Sequence, residues 1–104
     1  TITYIHEHLT EDLSLKTVAE AMSLSPVYFH NVFKSATGKT LHDYIEEQRI
    51  KKAIYLLQTT NYSLTKVAYE CGFSSQSYFS FVFKRRMKNT PRKYMKDIYC
   101  KYEL

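Results

Sequence analysis

Apolar residues recur at helical spacing along nearly the whole chain, and short polar breaks cut that pattern into segments. Ile2, Ile5 and Leu9 stand at i, i+3 and i+7, which predicts an amphipathic helix from Thr1 to about Leu9, broken at Glu11-Asp12. Leu15, Val18, Ala19 and Met22 predict a second helix with Ser14 as its N-cap. Ser25-Pro26 restarts the pattern as a cap followed by proline at the first helical position. This third helix is expected to bury Phe29, Val32, Phe33 and Ala36, and to present Val27, His30, Asn31 and Lys34 on its far side. It ends at Thr37-Gly38, where glycine suits a left-handed cap.

Thr40 opens the longest predicted helix, running to about Gln58. Its apolar residues form an early group (Leu41, Tyr44, Ile45) and a late group (Ile50, Ala53, Ile54, Leu56, Leu57), with charged residues crowded between Glu46 and Lys52. A helix apolar at both ends and charged in the middle reads as a strut of roughly 25–30 Å between two lobes. A single central core helix is the other reading of the same pattern.

After Thr59-Thr60-Asn61-Tyr62 the pattern begins again. Ser63-Leu64, Val67-Ala68 and Ser74 repeat Ser14-Leu15, Val18-Ala19 and Ser25 at an offset of 49. With one residue added in the turn, Tyr78-Phe79, Val82-Phe83-Lys84, Thr90 and Tyr94 repeat Tyr28-Phe29, Val32-Phe33-Lys34, Thr40 and Tyr44 at an offset of 50. In the second copy Phe79, Val82 and Phe83 make the apolar stripe, and Ser77, Ser80, Phe81 and Lys84 lie opposite. Thr90-Pro91 caps a last helix carrying Tyr94, Met95 and Ile98, with fraying expected beyond Tyr99. Each copy is a short helix, a turn and a second helix with a polar outer face, the layout in which the second helix enters a DNA major groove.

Composition sharpens this picture. Two glycines, two prolines and no tryptophan in 104 residues argue for helices throughout. The expected fold is all-α: seven helices, two helix-turn-helix lobes (about 1–40 and about 59–104) joined by a long central helix (about 41–58). The start at Thr1 without methionine suggests a piece of a longer protein, with any sensor or dimerisation domain absent from residues 1–104. No apolar run approaches the roughly 20 residues of a membrane span, and no secretory signal opens the chain, so the expected location is cytoplasmic, without membrane contact. Cys71 and Cys100 lack CxxC spacing and are read as reduced thiols. His6 and His8 point to different helix faces, while His30 and His42 lack partners at ligand spacing, so no metal or other cofactor is expected. Asn61-Tyr62-Ser63 matches the glycosylation pattern by chance.

Net charge is +5, which favours an anionic partner. Residues 1–48 hold three lysines (Lys16, Lys34, Lys39) against seven acids, a balance of −4. Residues 49–104 hold twelve cations against three acids, a balance of +9, and eight of those cations fall between Lys84 and Lys101. Beside the polar helix face, that concentration reads as a phosphate footprint.

Together these features resemble the DNA-binding domain of the AraC/XylS family of bacterial transcription regulators. The residues carrying the resemblance include Leu15-x-x-Val18-Ala19, Ser25-Pro26-x-Tyr28-Phe29, Thr37-Gly38, Tyr44-Ile45-x-x-x-Arg49, Val67-Ala68-x-x-x-Gly72-Phe73, Ser77-Tyr78-Phe79 and Thr90-Pro91-x-x-Tyr94. The resemblance implies a monomeric domain whose two recognition helices enter successive major-groove segments of double-stranded DNA. It also implies contact with RNA polymerase, to which no residue here can be assigned.

The expected base contacts are Val27, His30, Asn31, Gln76, Ser77, Ser80 and Phe81. The expected backbone contacts are Leu15 and Leu64, through their amides, with Ser75, Lys34, Lys84 and Arg85; Arg86 either joins them or leans toward the core. Tyr28 and Tyr78 are read as packing residues, and Cys71, aligned with Met22, as core. The family often has arginine where this chain has Asn31 and Phe81, a glycine where it has Lys88 and an arginine where it has Met95. Asn31 suits adenine and Phe81 a thymine methyl, so an A·T-leaning site is expected; the alternative for Phe81 is a packed ring. The basic second lobe is expected to supply most of the affinity. A competing reading is a helical module docking an acidic partner through residues 84–101, but such grooves need exposed apolar anchors. No catalytic residues are assigned: phosphate-cradling glycine loop, metal-ligand cluster and nucleophile–base order are all missing from the sequence.

Overall fold

The computed structural model describes residues 2–11 and 13–102, apart from the side chains of 98–102. Among them the chain forms seven α-helices and no strand. They are α1 (Ile2–Glu7), α2 (Leu15–Ala21), α3 (Pro26–Thr37), α4 (Leu41–Thr59), α5 (Leu64–Glu70), α6 (Gln76–Met87) and α7 (Pro91–Tyr102). The helices group into two compact units, Thr1–Gln48 and Arg49–Leu104.

In unit 1 the core is Ile5, Leu9, Leu13, Val18, Ala19, Phe29, Phe33, Leu41 and Ile45. Phe33 stacks on Phe29 at 5.6 Å and meets the edge of Tyr44 at 5.5 Å. Unit 2 buries Ile50, Ala53, Leu57, Val67, Ala68, Cys71, Phe73, Phe79, Val82 and Phe83. Phe83 meets Phe79 at 5.7 Å and Tyr94 at 5.5 Å, so the Phe–Phe–Tyr cluster recurs as the repeat does. Burying one such ring contributes about 1.5–3 kcal/mol. The two apolar groups of α4 separate as their spacing suggests: Leu41 and Ile45 join the first core, Ile50, Ala53 and Leu57 the second. Ile50, Ala53 and Leu57 keep the i, i+3, i+7 spacing of Ile2, Ile5 and Leu9, so the last turns of α4 play for unit 2 the part α1 plays for unit 1.

Caps set the register of each helix pair. The Ser14 and Ser63 hydroxyls accept the Thr17 and Lys66 amides at 3.1 and 3.2 Å. Both short helices close alike: Leu24 N–H donates to the Ala19 carbonyl and Phe73 N–H to the Ala68 carbonyl, each at 2.9 Å. That closure needs a left-handed residue before the donor, and Gly72 (φ 91°) and Ser23 (φ 59°) supply it. The residue added in the second turn is Ser74, because the cap equivalent to Ser25 is Ser75.

Several expectations change. Val32 and Ala36, expected in the core, are exposed: Val32 keeps 45% of its surface, whereas its repeat partner Val82 keeps none. Val32 lines an apolar groove of about 180 Å³ with Ile2, Leu24 and Ala36. The counterparts of Ile2 and Leu24 in unit 2, Ile50 and Phe73, are buried, so the same valine is closed over there. Glu46, from the charged middle of α4, is buried, with His42 Nε2 at 3.4 Å. Glu47 pairs with Lys39. Leu13, beyond the predicted break, is core. α7 runs from Pro91 to Tyr102. The Ile98 and Cys100 side chains lie outside the described residues.

Candidate nucleic-acid interface

In unit 1, α2 packs on α3. The Ser25 hydroxyl accepts the Tyr28 amide at 3.3 Å, and Pro26 opens α3. Once Phe29 and Phe33 are buried, helical geometry turns Val27, Asn31 and Lys34 outward. Val27 is 73% exposed, Asn31 and Lys34 are exposed, and His30 is half-buried. Tyr28, expected to pack, is 58% exposed and extends this face.

In unit 2, α5 packs on α6 and α6 on α7. The Ser75 hydroxyl accepts the Tyr78 amide at 3.1 Å. Phe79, Val82 and Phe83 are fully buried, so Ser77, Phe81, Lys84 and Arg85 face outward, with Gln76 and Ser80 half-buried. Phe81 keeps 60% of its surface, which removes the packed-ring alternative. The Arg85 guanidinium lies over its ring, 5.6 Å from the centroid. Thr65 Oγ1 donates to Gln76 Oε1 at 2.5 Å, tying α5 to the start of α6. Thr65 carries no counterpart in the first copy, where Lys16 occupies its place, so the repeat gave no signal for it. Tyr78 is partly exposed, its ring 6.0 Å from Phe73.

The remaining predicted contacts fall at helix ends. Leu15 and Leu64 open α2 and α5, their side chains half-buried against the two cores, so only their backbone amides suit the expected role. Lys34 lies in the last turn of α3, and Lys84, Arg85 and Arg86 in the last turn of α6, where cations also complement the helix dipole. Arg86 is half-buried. The acidic and basic halves of the sequence divide at residue 48, the boundary between the two units. Cys71 is buried in unit 2, and burial pushes its thiol up to about 11, so it is held as the neutral thiol. Among the described residues no three His, Cys, Asp or Glu side chains gather as metal ligands, and no helix is long and apolar enough to cross a membrane.

Each unit thus holds a short capped helix, a tight left-handed turn and a second helix with one buried and one exposed face, which defines a pair of helix-turn-helix modules. The helix-turn-helix domain family matches residues 18–97. The chain is 38% identical over 89 residues to the HTH-type transcriptional activator RhaS of Enterobacter sp. (strain 638), covering 86% of this chain and 32% of that protein. It therefore spans about a third of the length of the curated relatives it matches. The DNA-binding domain of AdpA, solved in complex with a target DNA, superposes with a TM-score of 0.93 at 30% identity, covering 97% of this chain and 91% of that one. A transcriptional regulator of the AraC-type DNA-binding class from Chromobacterium violaceum superposes with a TM-score of 0.84 at 28% identity, over 93% and 87%. The chain belongs to the AraC-type helix-turn-helix family.

Proposed function

We propose that this chain binds double-stranded DNA sequence-specifically in the control of transcription, with α3 and α6 inserted in successive major-groove segments. The observation that carries this reading is the twofold construction of a serine-capped helix whose buried stripe leaves an exposed face ending in lysine. The AdpA domain, similar over nearly the whole chain, was captured on its target DNA, which supports the same use here. On this reading Val27, His30, Asn31, Gln76, Ser77, Ser80 and Phe81 meet bases. Lys34, Lys84, Arg85, Ser75 and the amides of Leu15 and Leu64 meet the phosphate backbone. Lobes of about 1–40 and about 59–104, with the helix between them as linker, carry the two halves of the site. On this reading the domain acts as a cytoplasmic monomer without enzymatic activity, and the family resemblance implies a contact with RNA polymerase.

Selection from random duplexes tests this directly. A recurring sequence with two half-sites is expected, Asn31→Ala relaxing preference in one and Phe81→Ala in the other. Folded protein that enriches no sequence would refute the reading.

A further inference from the structure

We propose, resting on the duplex-binding reading above, that Phe81 is the specificity-determining residue of unit 2 and selects thymine through its C5-methyl group. Phe79, Val82 and Phe83 meet the packing needs of α6 completely, yet Phe81 stands 60% exposed on the opposite face. Its neighbours there are Ser77 one turn before and Lys84 and Arg85 one turn after. The ring neither donates nor accepts a hydrogen bond. Set against the edge of guanine, adenine or cytosine it would strip water from polar atoms and leave them unpaired, which is unfavourable. Thymine alone presents an apolar group on the major-groove floor, so it is the one base whose contact with Phe81 removes apolar surface from water on both sides.

The ring is also held in place. The Arg85 guanidinium lies 5.6 Å from its centroid, within cation–π range, and limits how the ring can turn. Arg85 is a positioning residue here: it acts on the base through Phe81. The first two turns of α6, from Gln76 to Phe83, contain no lysine or arginine, so no cation in them pairs with guanine. Asn31 holds the same register position in unit 1, and its amide suits adenine, so the two recognition faces differ in chemistry at their matched positions.

The test begins with the duplex selected by the wild-type domain. Each thymine in the half-site that responds to Phe81→Ala is replaced by deoxyuridine, which removes the methyl and leaves every hydrogen-bonding group. At one position uracil should weaken wild-type binding about threefold to fivefold, the effect of one methyl-sized apolar group. Phe81→Ala should bind the two duplexes equally, with circular dichroism verifying its helix content. Arg85→Gln should narrow the thymine-to-uracil ratio, whereas a phosphate contact alone would weaken both duplexes equally and refute the positioning role. Guanine dominating this half-site, equal wild-type affinity for thymine and uracil, or an unchanged ratio in Phe81→Ala would overturn the assignment while duplex binding stands. Loss of all duplex binding at low salt would instead remove the reading beneath it.

Discussion

Lys88 occupies the cap of α6 in a left-handed conformation, with φ 62°, where the first copy places Gly38 at φ 75°. Its amide donates to the Lys84 carbonyl at 2.9 Å, as Gly38 does to Lys34 at 2.8 Å, so the turn forms without glycine. The conformation costs a non-glycine residue about 1–2 kcal/mol. Lys88→Gly relieves that strain but gives the unfolded chain more freedom, so a net gain of about 0.5–1 kcal/mol is expected in urea unfolding. A loss of stability would mean the lysine side chain contributes more than its backbone costs. Nothing in the residue types at Lys88 or Ser23 announces a left-handed turn, although the alignment of Ser23 with Gly72 and of Lys88 with Gly38 does. Cys71 is legible for the opposite reason, because it falls on the same stripe as Val67 and Ala68. Its thiol is raised by burial, from 9.0 to about 11, against the opposing pull of Lys52. A folded-state pKa above the unfolded one gives stability that is complete below pH 9.0 and lost as pH rises through about 11. The stability difference between wild type and Cys71→Ala should therefore shrink between about pH 8 and about pH 10.5 in denaturant titrations; a constant difference would contradict the buried-thiol assignment.

Element boundaries were readable because caps are local chemistry. Ser14, Ser25 and Ser63 each hold the amide three residues on, and the spacing of serine to apolar stripe predicts it. Ser75 does the same one residue later than the repeat offset predicts. Ser75→Ala should cost about 1 kcal/mol. Burial was less readable, because it depends on what lies across from a side chain. Val32 and Val82 sit in equal sequence contexts, yet only Val82 is enclosed. Val82→Ala should destabilise by on the order of 2 kcal/mol and Val32→Ala by less than about 1 kcal/mol. Equal losses in thermal unfolding would show that the groove beside Val32 is filled in solution. The same dependence on surroundings explains Tyr28, expected to pack and found open, and the burial of Glu46 within the charged middle of α4.

At the scale of the whole molecule, the repeat itself was the most legible feature: its two copies are the two helix pairs, and its charge asymmetry divides at the same residue as the two compact units. What the repeat could not foretell is which serine caps α6 and which of the two matched valines is enclosed, since these are settled by local geometry and by neighbours from other helices. The charge division has a functional consequence. Lys84→Ala should weaken duplex binding more than Lys34→Ala at two salt concentrations, because its surroundings add positive potential and those of Lys34 do not. Equal losses at both would assign the affinity evenly to the two units. The most direct test of duplex binding is fluorescence anisotropy of a labelled duplex of about 25 base pairs titrated with this domain across a salt series. Log affinity should fall linearly with log salt, by about 0.9 for every phosphate neutralised. A folded domain that fails to bind even at low salt, or binds with no salt dependence, would contradict a DNA-binding role and favour an acidic protein partner.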